Sequence, residues 1–428
     1  MIPVREAEAI ILGCVQPFNV IGDTETVPLD RVSGRILSQP IASRLDFPHW
    51  DNSAMDGYAV RFLDVVEASA TQPIALDVVG EVPAGCAPQA MVHPGQAIRI
   101  FTGSMLPKGA DTIVMQENTT REGDRVVIHS APSQVGQFVR TKGEFYQSGD
   151  TLLPAGITLA AAEVAVLAAA QCTSVRVFRR PRVALLSTGR ELVPPDQPLL
   201  PGQIVDSNQA AIASFLENHG AIVLPFGIIA DDPRVTAAAI AQAIEEADIV
   251  ISTGGVSVGD YDYVEEVLEH LGGNIRIRSV AVKPGKPLTV ATFPQTHGEG
   301  DRSVIYFGLP GNPVSALVGC WRFIRPALLK LSGLTQGWEP LFVQATLRED
   351  LQAGGGRETY IWGSLYYGRQ GFEFDRDRGS SSSGNAIGLA LSNGLAVIPV
   401  GVTAIAAGEP VNVLQIGWPI VTADLPNL

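Results

Sequence analysis

Between residues 181 and 332 the chain alternates short apolar runs with helix-length segments, and no other feature constrains the fold as tightly. RVALLSTG, AIVLPFGII, DIVISTGG, IRIRSVAV, LTVATF and SVIYFGLPG read as strands. SNQAAIASFLENHG, DPRVTAAAIAQAIEEA, DYDYVEEVLEHLGG and PVSALVGCWRFIRPALLKLSG read as helices, with Ser207 expected to cap the first, Gly220 to stop it and Pro233 to open the second. Strands separated by crossover helices imply a mostly parallel α/β sheet covered on both faces. In such sheets ligands sit beyond the C-terminal ends of the strands.

The flanking sequence has a different texture. PVREAEAIILGCV carries early acids and an apolar stripe, with Pro17 as a stop, so it reads as a helix. VPLDRVSGRIL reads as a second, shorter one. From 58 to 140, YAVRF, IALDVVG, QAIRIFTG, DTIVMQE and DRVVIHS alternate with Gly/Pro turns, which is a small β-rich module. ITLAAAEVAVLAAAQC, 157–172, is expected to be a buried or half-buried helix. It carries Glu163 and is short for a bilayer. From about 337 to 420 short strands resume, as in a small barrel or sandwich. A chain of 428 residues is too long for one ordinary core. The expected organisation is multi-domain α/β plus β: a split first domain (1–47 and 141–180), an inserted β-rich domain (48–140), an α/β domain (181–334) and a C-terminal small β-barrel (335–428).

Net charge is −14, which argues against nucleic acid and anionic membranes as partners. Any anion must therefore be met by local positive charge. The chain has only five lysines, and Lys283 and Lys286 lie within one four-residue turn. The four cysteines are scattered without a metal-ligand spacing, which suits a reducing compartment. No signal peptide is visible, and a cytoplasmic location is expected. The six histidines are far apart and read as structural or surface residues.

Several loops carry candidate chemistry. STGGVSVGD, 252–260, follows a strand and precedes a helix; its glycines let backbone N–H groups approach an anion, or simply make a tight turn. GLPGNPVSA, 308–316, repeats that logic and puts Ser315 in a first helical turn. KPGKP, 283–287, concentrates cations in a restricted turn, as an oxyanion clamp would. Glu191, Asp206 and Asp262 stand at strand-to-helix junctions. They read either as helix caps or as a magnesium–phosphate site, since magnesium favours a few carboxylates with ligand oxygens. Thr102 precedes a glycine in FTGSMLPKGAD. HWDNSAMDGYAV, 49–60, sets Asp51 and Asp56 in an irregular, turn-rich stretch.

In order along the chain, DNSAMDGYA, TGSMLPKGAD, STGREL, GQIVDSN, STGGVSVGDYDY, KPGKP and GLPGNPVSA resemble the motifs of the molybdopterin molybdenumtransferase (MoeA/gephyrin) family. The resemblance implies that the α/β domain is a MogA-like molybdopterin-binding domain. It also implies a homodimer whose active site lies between subunits. The implied reaction inserts molybdate into adenylylated molybdopterin and hydrolyses the adenylyl group to give molybdenum cofactor and AMP, with Mg2+ required. By position, Asp51, Thr102, Glu191, Asp206 and Asp262 match the family's functional polar residues, with Asp206, Asp262 and Glu191 toward the metal. Lys283, Lys286, Ser315, Arg357 and Ser383 match the molybdate side; Gly254, Gly255 and Ser257 match the pterin and phosphate pocket, and Pro310 is a further substrate-binding position. Asp51 is expected to do chemistry and Asp56 to fix its loop by local hydrogen bonds. The chain departs from the pattern at Phe145, Arg190 and Trp362. Two other readings stay open: a molybdopterin adenylyltransferase, and a gephyrin-like scaffold without catalysis. Other molybdopterin-pathway enzymes are expected partners.

Overall fold

The computed structural model describes residues 1–255, 264–294, 302–376 and 382–422. They form two compact units: Met1–Gln39 with Ala155–Val164 and Ser174–Leu428, and Pro40–Pro154 with Ala165–Thr173.

In the larger unit the 181–332 pattern becomes a six-stranded sheet. Its order is Ile222–Ile229, Arg182–Thr188, Ile249–Thr253, Ser303–Leu309, Pro287–Pro294, Asn274–Ser279. The first four strands are mutually parallel and the last two antiparallel. Val183, Leu185, Ile249 and Ile251 pack into one core cluster, Ala184, Leu186 and Val250 into another. Alternate side chains thus enter opposite cores, which is why the strands read as unbroken apolar runs. Helix Ser207–Asn218 is capped by Asp206 rather than Ser207: the Asp206 carboxylate accepts from Asn208 and Gln209 N–H. Helix Pro233–Glu246 starts on Pro233, behind an Asp232 cap.

The C-terminal strands close on themselves. Glu358–Gly368, Gly371–Arg376, Phe342–Leu347, Pro410–Gln415 and Gly394–Ile398 pair in that order, and Gly394–Ile398 pairs back with Glu358–Gly368. This is the expected barrel. One added strand, Val282–Lys283, comes from the KPGKP turn and lies parallel to Glu358–Gly368.

The N-terminal helix Val4–Cys14 buries Val4, Ala7 and Ile11, one face at helical spacing, in the same cluster as the sheet. The second expected helix is not one. Thr24–Pro28 is a strand paired antiparallel with Ser174–Phe178, and only Leu29–Arg31 makes a 3-10 turn. Tertiary pairing overrides the local pattern here. A charged network holds this segment to the sheet's far end: Arg179 bonds Asp248 at 2.7 and 2.6 Å, and Arg302 bonds Asp23 at 3.0 and 3.0 Å. Asp23 and Asp248 are 3 % and 6 % exposed, so unpairing either would cost about 3–5 kcal/mol. The alanine-rich helix is also shorter and more exposed than expected: it spans Ala161–Ala169 and buries only Leu167.

The smaller unit is a six-stranded sheet ordered Thr112–Met115, Gly57–Val60, Gln96–Ile100, Ile74–Val82, Arg125–Ile128, Thr119–Glu122. Gly57–Val60 is buried at every position, and the strand on each side crowds it. A Cβ on Gly57 would lie 2.0 Å from Val114 O, so only glycine fits the close approach.

Candidate functional site

Three parallel strands deliver their loops to one edge of the large sheet. Thr253 lies in register with Ser187 and with Leu309, so Gly189–Glu191, Gly254–Gly255 and Pro310–Asn312 leave the sheet side by side. Ser187 and Thr253 share a hydroxyl hydrogen bond at 3.0 Å, and Gly254 N–H donates to Leu309 O at 3.1 Å. Gly254 has φ +82, and a Cβ there would meet Thr188 O at 2.2 Å. Gly255, at φ +66, would bring a Cβ to 2.9 Å from Thr188 Oγ1. The loop that follows, with Ser257 and Asp262, lies outside the described residues.

Glu191 and Asp206 flank a two-residue parallel ribbon, Leu192–Val193 with Ile204–Val205. Glu191 is exposed; its carbonyl accepts from Ile204 N–H, and Asp206 N–H donates to Val193 O. Asp206 is 5 % exposed. Its Oδ1 makes the helix cap, while its buried Oδ2 has no hydrogen-bond partner among the described residues. A buried carboxyl oxygen left unmatched is expensive unless a cation or donor meets it. Among the described residues, no group of three or more His, Cys, Asp or Glu side chains is arranged to hold a metal.

The cationic turn lies against the helix that opens at Pro313. Lys283 and Lys286 are exposed, Gly285 takes φ +103, and a Cβ on it would lie 3.4 Å from Ser315 O. Ser315 is 4 % exposed and lines a small cavity with Val282, Pro284, Gly285, Leu309 and buried Pro310. Arg357 reaches the turn from the barrel, with Nη1 donating to Val282 O at 3.3 Å. Ser383 reaches the same helix: its carbonyl accepts from Val314 N–H at 3.2 Å, and its Oγ accepts from Asn312 Nδ2 at 3.1 Å. The structure thus gathers Lys283, Lys286, Pro310, Ser315, Arg357 and Ser383 from four separate segments.

Two positioning residues escaped the sequence reading. Asn208 Nδ2 donates to Gly311 O at 2.8 Å, tying the Asp206-capped helix to the Pro310–Asn312 loop. Asn312 holds Ser383, as above. Both stand inside quoted motifs, as amides beside turn residues, and that was the available signal.

Asp51 and Thr102 belong to the smaller unit. Asp51 is exposed, and its Oδ1 accepts Lys142 N–H at 2.8 Å. Asp56 Oδ1 accepts from both Thr102 N–H and Thr102 Oγ1, each at 2.8 Å. These two bonds hold the Asp56 carboxyl below the ordinary aspartate range. Asp56 does fix its loop, but through a partner 46 residues away, not through the local bonds expected. Of the departures, Phe145 is 56 % exposed against Phe47, Arg190 pairs with Asp231 at 3.5 Å, and Trp362 is 6 % exposed in the core. His49, His129 and His219 make ordinary structural hydrogen bonds.

Fold and site together define an α/β protein with a small, serine-bearing cavity beside a lysine turn at its sheet edge, next to a small barrel. Residues 2–170 match the MoeA N-terminal region (domain I and II), 184–330 the probable molybdopterin binding domain, and 344–416 the MoeA C-terminal region (domain IV). A molybdopterin molybdenumtransferase of Nostoc sp. is 54 % identical over 413 residues, covering 96 % of this chain and 93 % of that protein. One from Bacillus subtilis is 32 % identical, covering 97 % and 94 %. The crystal structure of the molybdopterin biosynthesis moeA protein from Pyrococcus horikoshii superposes with a TM-score of 0.81 at 30 % identity, over 97 % of this chain and all of that one. The chain belongs to the molybdopterin molybdenumtransferase family.

Proposed function

We propose that this protein inserts molybdate into adenylylated molybdopterin and hydrolyses off the adenylyl group, releasing molybdenum cofactor and AMP in a Mg2+-dependent reaction. One observation carries the reading: the turn that bears Lys283 and Lys286 packs against the helix of Ser315, Arg357 bonds that turn, and Ser383 bonds that helix start. Molybdate is a tetrahedral dianion, and convergent cations and hydroxyl donors are what it requires. In this chain, whose net charge is −14, such a cluster is the exception. Lys283, Lys286 and Arg357 neutralise the oxyanion, and Ser315 and Ser383 orient it. Two dithiolene sulfurs bond to molybdenum, and one oxide leaves as water with the two thiol protons. Water cleaves the phosphoanhydride, and AMP departs. Gly254, Gly255 and Ser257 would line the pterin and phosphate pocket, and Pro310 would bind substrate.

The orphaned, buried Asp206 Oδ2 fits a hard cation. Asp206, Glu191 and Asp262 would hold the magnesium. Bound there, it would neutralise charge on the phosphate oxygens as the anhydride breaks. Asp56 is committed to Thr102, so of the two aspartates in 49–60 Asp51 is the one offered to a ligand. In the reading we propose, Asp51 serves a ligand held by the other subunit of a homodimer. The protein then works in the cytoplasm beside other molybdopterin-pathway enzymes. No helix among the described residues is long and apolar enough to cross a membrane. The four-part division at 1–47 with 141–180, 48–140, 181–334 and 335–428 stays part of this proposal; the pairing of Thr24–Pro28 with Ser174–Phe178 supports joining the two halves of the first domain.

The test is an anaerobic assay of adenylyl-molybdopterin with Mg2+ and either molybdate or tungstate, reading AMP and active cofactor. Wild type should release AMP when molybdate is present. Lys286→Ala and Asp262→Ala should lose at least about tenfold while staying folded, as expected for charge-assisted ligand contacts. Full activity in both variants sinks the site assignment. Formation of adenylyl-molybdopterin from ATP would favour an adenylyltransferase, and no AMP release by wild type would favour a scaffold.

A further inference from the structure

A buried polar chain runs behind the pocket without touching the proposed ligand. Arg322 sits in a π-helical turn, Cys320–Ile324, inserted between helices Pro313–Gly319 and Arg325–Leu331. Such a turn re-aims one side chain out of helical phase, and it is uncommon outside functional regions. The Arg322 side chain is 5 % exposed. Its Nη1 and Nη2 donate to Glu8 Oε1 and Oε2 at 2.7 and 2.8 Å, and its Nε donates to Tyr360 Oη at 2.9 Å. Tyr360 is 1 % exposed and donates onward to Glu358 Oε1 at 2.7 Å. Glu358 is the residue in register with Val282. Its N–H donates to Ala281 O at 2.9 Å, and its neighbour Arg357 donates to Val282 O.

These bonds therefore link three elements: the N-terminal helix, the helical run that opens at Pro313 and carries Ser315, and the barrel strand bordering the lysine turn. Each shared proton has a donor and an acceptor. Burial pushes the Tyr360 phenol well above its ordinary range, with Arg322 pulling down and Glu358 pushing up. Burial opposes the Arg322 charge, but Glu8 and Tyr360 outweigh it and the guanidinium stays charged. Phenol and guanidinium thus both keep their protons. A well-packed apolar cluster would fill this space with equal or better stability. What a fully satisfied network adds is a single geometry, since breaking any one link strands the others.

We propose that Tyr360, held by Arg322 and Glu8, is a positioning residue for the oxyanion loop. Through Glu358 it fixes the register of Glu358–Gly368 on Val282–Lys283, and so sets Arg357 against Lys283 and Lys286. The proposal rests on the reading of that loop as the molybdate side. Tyr360→Phe keeps the ring and removes only the hydroxyl that bridges Arg322 to Glu358. Its KM for molybdate should rise roughly tenfold, the effect of one misplaced charge-assisted contact, with kcat within about twofold. Backbone amide exchange in 281–287 should accelerate in the same variant. Glu358→Gln, which still accepts from the phenol, should behave as wild type, and Glu358→Ala should copy Tyr360→Phe. An unchanged KM, a loss confined to kcat, or wild-type exchange in 281–287 overturns the proposal, even if the melting temperature falls. If wild type fails to use molybdate at all, the functional reading fails instead, and the exchange measurement alone decides whether Tyr360 holds the loop.

Discussion

Asp51 and Asp56 stand five positions apart in one irregular stretch, yet they do different work. Asp56 is bound twice by Thr102, and those bonds lower its pKa below the ordinary value of 3.8. A carboxylate whose folded pKa is depressed contributes stability above its unfolded pKa and loses it as pH falls through the folded value. Asp56→Ala should therefore melt earlier than wild type at pH 7, and the gap should close as the pH is taken well below 3.8. Thermal melts of both proteins across that range measure it; a gap that persists in acid would contradict the assignment. Asp51→Asn keeps an oxygen that can still accept Lys142 N–H, so it should melt like wild type. Under the proposed mechanism its AMP release should fall by about a hundredfold or more, as loss of a reacting carboxylate does.

At the scale of elements, glycines decide where loops and strands can approach. Gly57→Ala would drive a Cβ into Val114 O at 2.0 Å, and the strand pair cannot part without opening the small sheet. Urea unfolding should show a loss of about 3 kcal/mol or more, above the usual cost of overpacking because the obstacle is backbone. Open space in contrast surrounds Gly80, in a strand of the same sheet, and Gly80→Ala should be nearly silent in the same titration. The helices and strands of 181–332 were legible because their periods differ so clearly. The 27–37 segment was not, because the strand Thr24–Pro28 that runs into it exists only by virtue of a partner about 150 residues away. The alanine-rich helix misled for a related reason: apolar composition says that a segment can be buried, not that a neighbour is there to bury it.

For the whole molecule, the proposed shared active site makes a prediction that no single chain can. Asp51→Asn and Lys286→Ala, each inactive alone, should complement when mixed and re-equilibrated. If Asp51 of one subunit serves the pocket of the other, each mixed dimer holds one doubly mutated site and one intact site. Statistical exchange then restores about a quarter of wild-type activity, as the geometry of a two-fold dimer dictates. Activity below the sum of the parents after proven subunit exchange would place both residues in one subunit's site.

The sequence by itself determined the strand–helix alternation, the glycine loops at strand ends, the acid and lysine positions and, through its ordered motifs, the family. All of these are local: a period, a turn or a spacing is written within some twenty residues. Only the tertiary structure decided that the KPGKP turn lends a strand to the barrel, which brings Arg357 to Val282, and that Ser383 comes to rest on the helix of Ser315. Only it revealed that Asp206 is both the helix cap and the bearer of a stranded buried oxygen. The same holds for the buried chain from Glu8 through Arg322 and Tyr360 to Glu358, whose ends are 350 residues apart. The reason is physical: hydrogen-bond partners of buried polar groups are set by packing across the chain, and packing leaves no periodic trace in any one segment.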